Sequence, residues 1–133
     1  MKSCVVYFSR TGNTKQMAEA ICESLNAPIF NINTSDPSNL KQFETLIIGT
    51  PVEGFRPTKE IMNFIYKISP VENKKAVIFC TYALWKGRTF NNLEKSLSQK
   101  GYHVILKVST KMKKDQKADF ADSIEKILRA LEN

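Results

Sequence analysis

Cysteine is scarce and badly placed for chemistry. Cys4, Cys22 and Cys80 are odd in number, sit inside apolar segments and include no C-x-x-C spacing. That leaves no disulfide framework and no thiolate metal centre, so the three read as reduced core residues of a cytoplasmic protein. Histidine occurs once, at His103. With no second titratable partner beside it in sequence, it offers no acid–base dyad, and no metal site is expected. Long apolar runs are missing too. Residues 4–8 are too short for the apolar segment of a secretory signal, and nothing approaches the about 20 residues of a membrane span. Neither G-x-x-x-x-G-K-[ST] nor G-x-G-x-x-G occurs, which removes the two familiar nucleotide loops. With five glycines and five prolines, no repeat and no low-complexity tract, the chain shows no internal boundary. One domain spanning 1–133 is expected.

What is present is ordinary for a globular chain: 42% hydrophobic and 25% charged residues. A domain of this size buries roughly 68% of its unfolded surface, enough for a core without staples. The charge is less ordinary, with 20 Lys and Arg against 13 Asp and Glu and a net charge of +7. Such an excess attracts acidic partners, nucleic acid or anionic surfaces, and it says nothing about the fold.

Short, nearly continuous apolar runs occupy residues 4–8, 46–48, 76–80 and 104–106. Continuous rather than alternating apolarity is what strands covered on both faces require. Two mixed stretches, 29–32 and 104–108, read as edge strands. Between them, apolar residues recur at helical spacing. Met17, Ala18, Ile21 and Leu25 form one stripe, and Ile61, Phe64, Ile65 and Ile68 a second. Phe90, Leu93 and Leu97 form a third; Phe120, Ile124, Ile127, Leu128 and Leu131 a fourth. Pro57 suits a first helical turn, Gly101 suits a helix stop, and Asp36-Pro37 opens a short helix. Strand and helix alternate five times, so an α/β fold is expected: a parallel sheet with helices on both faces. Ligands of such sheets bind beyond the carboxyl ends of the strands.

Three loops lie there. Ser9-Arg10-Thr11-Gly12-Asn13-Thr14 packs three hydroxyls, a glycine and an amide ahead of a helix, where unpaired N–H groups and the positive dipole end attract an anion. A plain capped turn needs only one Ser, Thr or Asn. Arg10 either adds charge to the anion or points to solvent. The second loop is Thr50-Pro51-Val52-Glu53-Gly54-Phe55-Arg56-Pro57, in which Gly54 permits a positive φ. The third, Thr81-Tyr82-Ala83-Leu84-Trp85-Lys86-Gly87-Arg88, places two large aromatics where a core strand ends, capping the sheet or stacking on a planar ligand. Lys111, Lys113, Lys114 and Lys117 follow the fifth strand on the same edge, as a solvated loop or a docking patch.

Residues 6–14 resemble the T/S-x-T-G-x-T phosphate loop of the flavodoxin family, in the expected place beside the N-terminus. A response-regulator receiver has a similar topology but needs an acidic pair after strand one, where this chain has Ser9-Arg10. The flavodoxin resemblance implies a three-layer, doubly wound, five-stranded parallel sheet of order 2-1-3-4-5, in a short-chain member. It implies non-covalently bound FMN, its phosphate on Ser9, Arg10, Thr11, Gly12, Asn13 and Thr14. Thr50, Pro51, Val52, Glu53, Gly54 and Phe55 would cover one face of the ring and reach its N5. Thr81, Tyr82, Ala83, Trp85 and Gly87 would hold the other face. Phe55, Tyr82 and Trp85 all remain open as the stacking aromatic. The implied role is electron transfer between redox proteins, here with acidic docking surfaces, rather than nucleic-acid binding or membrane insertion. Typical members are acidic and this chain is basic. Two other readings stand beside it: an FMN-dependent NAD(P)H or quinone reductase on the same fold, and a flavin-free module with a basic surface.

Overall fold

The computed structural model describes residues 2–132. Its strands are β1 (Ser3–Tyr7), β2 (Ile29–Asn31), β3 (Thr45–Glu53), β4 (Arg56–Pro57), β5 (Lys74–Tyr82) and β6 (Tyr102–Lys111). The helices are α1 (Asn13–Leu25), α2 (Lys59–Lys67), α3 (Thr89–Gln99) and α4 (Ala121–Glu132). Five strands pair in parallel in the order β2-β1-β3-β5-β6, and β4 folds back antiparallel on β3. Leaving out that two-residue return, the order is the expected 2-1-3-4-5.

Successive residues of a strand point to opposite faces, and both faces here are covered. Cys4, Val6, Ile48 and Ile78 pack with Ile61 and Ile65 of α2 and Leu93 and Leu97 of α3. Val5, Tyr7, Ile47, Val77 and Phe79 pack with Met17 and Ile21 of α1 and Ile127 of α4. This is why the central strands read as unbroken apolar runs. At the edge, β6 carries a register shift opposite Ala76 and Val77, with Val104 and Leu106 as their partners and Ile105 left over. A bulge of that kind breaks the strict alternation and leaves the mixed pattern of residues 104–108.

Several expectations need correction. β3 runs from Thr45 to Glu53 and β5 from Lys74 to Tyr82, past the apolar runs 46–48 and 76–80, because Thr50 pairs with Cys80 and Pro51 with Thr81. Thr50–Glu53 and Thr81–Tyr82, expected in loops, are therefore strand ends. Pro57 does not open α2: it pairs with Val52, and Thr58 caps the helix by accepting from the Ile61 N–H. The short helix after Asp36 is a 3-10 helix (Pro37–Gln42) whose first turn Asp36 caps through the Ser38 N–H. Leu128, placed in the α4 stripe, is exposed, because Ile127 is the residue of that turn aimed at the sheet.

Candidate functional site

The first helix begins where the chain leaves β1, and its cap is Gly12, at φ +101°. Ser9 Oγ accepts hydrogen bonds from the N–H groups of Gly12 (3.1 Å) and Lys15 (3.2 Å), which closes the loop 9–14 on itself. The first-turn N–H groups of Asn13 and Thr14 precede any intrahelical carbonyl. Thr11 is exposed. Thr14 is buried, its Oγ1 2.8 Å from Oγ1 of buried Thr81. One hydroxyl must donate to the other, so the pair keeps a single proton for a third group.

Arg10 leaves this loop for other partners. Its Nη2 donates to Glu53 Oε1 (2.9 Å) and to Glu60 (3.0 and 3.1 Å), its Nε pairs with Glu53, and the guanidinium sits 5.0 Å from the Phe8 ring centre. These bonds push its pKa above the ordinary arginine range. Glu60 is held below the usual carboxylate range, by its own backbone N–H first and by Arg10 after the opposing effect of burial. Arg10 ties the loop 9–14 to the β3–β4 hairpin and α2.

At the hairpin tip both central residues have positive φ, Gly54 at +59° and Phe55 at +62°. That is the sign pattern of a type I′ turn, which suits the twist of a two-residue hairpin. Arg88 N–H donates to Phe55 O (2.9 Å), and the Phe55 and Trp85 rings lie 5.4 Å apart at 52°. Gly87, at φ +58°, allows this approach: a Cβ there would lie 2.3 Å from Phe55 O. Loops two and three thus hold each other.

A cleft of about 190 Å³ lies between the three segments, lined by Ser9, Thr11, Asn13, Thr14, Val52, Tyr82 and their neighbours. Arg10, Pro51, Glu53, Thr81 and Ala83 complete the expected residues on it. Met112, which the sequence did not single out, is there because its N–H donates to Tyr82 O (2.7 Å). Met112, Asn13 and Ala83 continue into a second cleft of about 510 Å³ beneath Lys113, Lys114 and Lys117. Gly12, Thr50, Gly54, Phe55, Trp85 and Gly87 do not line the first cleft. Gly12 and Gly54 serve their turns, and Thr50 Oγ1 turns inward to donate to Pro51 O (2.8 Å). Phe55 and Trp85 are 45% and 63% exposed, against each other. Tyr82 is half-buried, with Lys86 Nζ 5.7 Å from its ring centre. His103 is exposed, opposite Lys75 at the far end of β6. Burial pushes the thiols of Cys4 and Cys80 up to about 12, so neither offers a nucleophile. No group of acids, histidines or cysteines among the described residues suits a metal ion.

The flavodoxin domain model matches residues 4–122. The chain belongs to the flavodoxin family. A flavodoxin of Clostridium beijerinckii is 30% identical over 109 residues, covering 76% of this chain and 79% of that protein. An uncharacterized protein of Methanocaldococcus jannaschii is 32% identical over 108 residues, covering 79% and 71%. Oxidised flavodoxin 1 of Bacillus cereus superposes with a TM-score of 0.76 at 21% identity, covering 97% of this chain and 93% of that one. This likeness shows the shared fold. The donor set fits the family's FMN: residues 9–14 contain hydroxyls, amides and no carboxylate, and the cleft they open into is also lined by Val52 and the Tyr82 ring.

Proposed function

We propose that this flavodoxin-family chain carries electrons between redox proteins on non-covalently bound FMN. One observation supports it above the rest: a carboxylate-free loop at the start of α1 shares a cleft with the ends of β3 and β5. When bound, FMN supplies the redox chemistry. The chain's own residues bind and orient. The Thr11 hydroxyl, the Asn13 and Thr14 N–H groups and the remaining proton of the Thr14–Thr81 pair donate to the phosphate. Arg10 holds the hairpin to that loop, and Val52, Tyr82, Phe55 and Trp85 give apolar cover against water. The partners are redox proteins, and the basic charge suits acidic docking surfaces on them. No helix among the described residues is long and apolar enough to cross a membrane. Three free cysteines support placement in the reducing cytoplasm.

The test is an absorbance spectrum of the purified protein, followed by titration with FMN and riboflavin. A yellow protein, or one that takes up FMN at least tenfold more tightly than riboflavin, is expected. Equal affinities would remove the phosphate role from residues 9–14. Sustained NADPH oxidation without a partner protein would point to the reductase instead.

A further inference from the structure

The positive charge is not spread evenly. Residues 8–16, 51–62, 83–92 and 111–124 form the ends and loops beyond β1, β3, β5 and β6, with the first turns of the helices that follow. They hold ten Lys and Arg against five Asp and Glu. Five of the chain's seven net positive charges therefore lie on this one edge of the sheet. Of its ten cations only Arg10 is in an ion pair among the described residues. Glu53 and Glu60 are taken up by Arg10, Asp122 pairs with Lys126, and Asp119 accepts from the Ala121 N–H. That leaves Asp115 and Asp119 outside ion pairs among the described residues, against nine such cations on the edge.

The same edge carries three of the five large apolar residues exposed on the described surface. Leu84 is 79% exposed, beside Trp85 and, through the ring contact, Phe55. Nothing in the flavin site uses Leu84. Its neighbour Ala83 lines the lysine cleft, and Lys86 and Arg88 follow two and four residues on. An apolar centre inside a charged rim is the anatomy of a protein interface. An aliphatic centre offers nothing to a phosphate backbone.

Resting on the electron-carrier reading, we infer that this edge is a docking face for an acidic redox protein. Leu84 is its apolar centre, with Arg56, Lys86 and Arg88 on one flank and Lys113, Lys114 and Lys117 on the other. The cations steer a partner whose carboxylates surround its own redox centre, and Leu84 takes up contact once water leaves.

The probes are a small acidic iron–sulfur ferredoxin and, as the opposite sign, a basic c-type cytochrome. Binding of each is measured by calorimetric titration, with and without FMN, at low and high ionic strength. The ferredoxin is expected to bind, to weaken at least tenfold as salt rises, and to bind more tightly than the cytochrome at low salt. Reversing charge in Lys86→Glu with Arg88→Glu, or in Lys113→Glu with Lys114→Glu, should weaken it at least tenfold. Lys95→Glu with Lys67→Glu, away from this edge, should change it less than threefold. Leu84→Ser should weaken binding with an unchanged salt slope. Equal losses from edge and control reversals would overturn the inference, as would preference for the cytochrome. Tighter binding to DNA or to anionic lipid vesicles than to ferredoxin, abolished by the same edge reversals, would replace it with a polyanion surface. A protein that docks ferredoxin without taking up FMN refutes the cofactor and leaves the docking face standing; one that holds FMN and ignores ferredoxin does the reverse.

Discussion

Replacing Gly87 by Ala tests the contact that joins loops two and three. An L-residue at φ +58° costs about 1–2 kcal/mol by itself. The new methyl would also stand 2.3 Å from Phe55 O and 2.4 Å from Phe55 Cβ. That oxygen belongs to backbone and accepts from the Arg88 N–H at 2.9 Å, so it cannot swing aside as a side chain would. Restoring an ordinary contact takes a shift of about 1 Å in the hairpin tip. Strain and displacement together come to about 2–4 kcal/mol. Gly54→Ala is the matched control: φ is +59°, but nothing lies within 4 Å of the added carbon. It should cost only the conformational share, about 1–2 kcal/mol. Urea unfolding followed by far-ultraviolet circular dichroism gives both values. Gly87→Ala should be the less stable by at least about 1 kcal/mol and should lose at least tenfold in FMN affinity, since tenfold is about 1.4 kcal/mol. Equal stability of the two variants would refute the reasoning, because it would mean that loops two and three do not touch.

Thr14→Val and Thr81→Val each strand a buried hydroxyl and should cost about 1–3 kcal/mol, while the double variant costs less than their sum; strict additivity in unfolding free energies would show the 2.8 Å pair to be uncoupled. Cys4 and Cys80, buried and with thiols pushed up to about 12, should resist a thiol reagent at pH 8 in the native protein, and unreduced protein in denaturant should titrate three thiols; a count of one would reveal a disulfide. Because Glu60 binds its proton less readily folded than at its ordinary 4.5, its contribution is fully present above pH 4.5 and is lost as pH falls through the lowered folded value. The stability gap between wild type and Glu60→Gln should therefore shrink on acidification, and a gap unchanged from pH 6 to pH 3 would be inconsistent with that linkage. Finally, the basic edge favours an anionic reduced flavin, so the potential of the second one-electron step should become more negative as salt screens it; a potentiometric titration insensitive to salt would remove the effect.

Much of the fold is legible along the chain because periodicity is local. The unbroken apolar runs of β1, β3 and β5 announce strands buried on both faces, and the crowded hydroxyls and glycine of residues 9–14 announce the turn that opens α1. Neither depends on a distant partner. Strand ends were not legible: Thr50 and Pro51 join β3 only because Cys80 and Thr81 stand beside them in register. Local pattern also placed Pro57 in a helix, since a proline before a helical stripe looks the same whether it opens a turn or closes a hairpin. Residue type and spacing by themselves determined the alternation and the loops that meet at one edge, while the five-stranded order came from the family resemblance. Tertiary structure alone decided what those loops do to one another. Arg10 finds carboxylates 43 and 50 residues away, Thr14 finds Thr81, Gly87 makes room for Phe55, and Met112 closes the cleft. Such contacts depend on strand register and helix rotation in three dimensions, and no one-dimensional pattern encodes either.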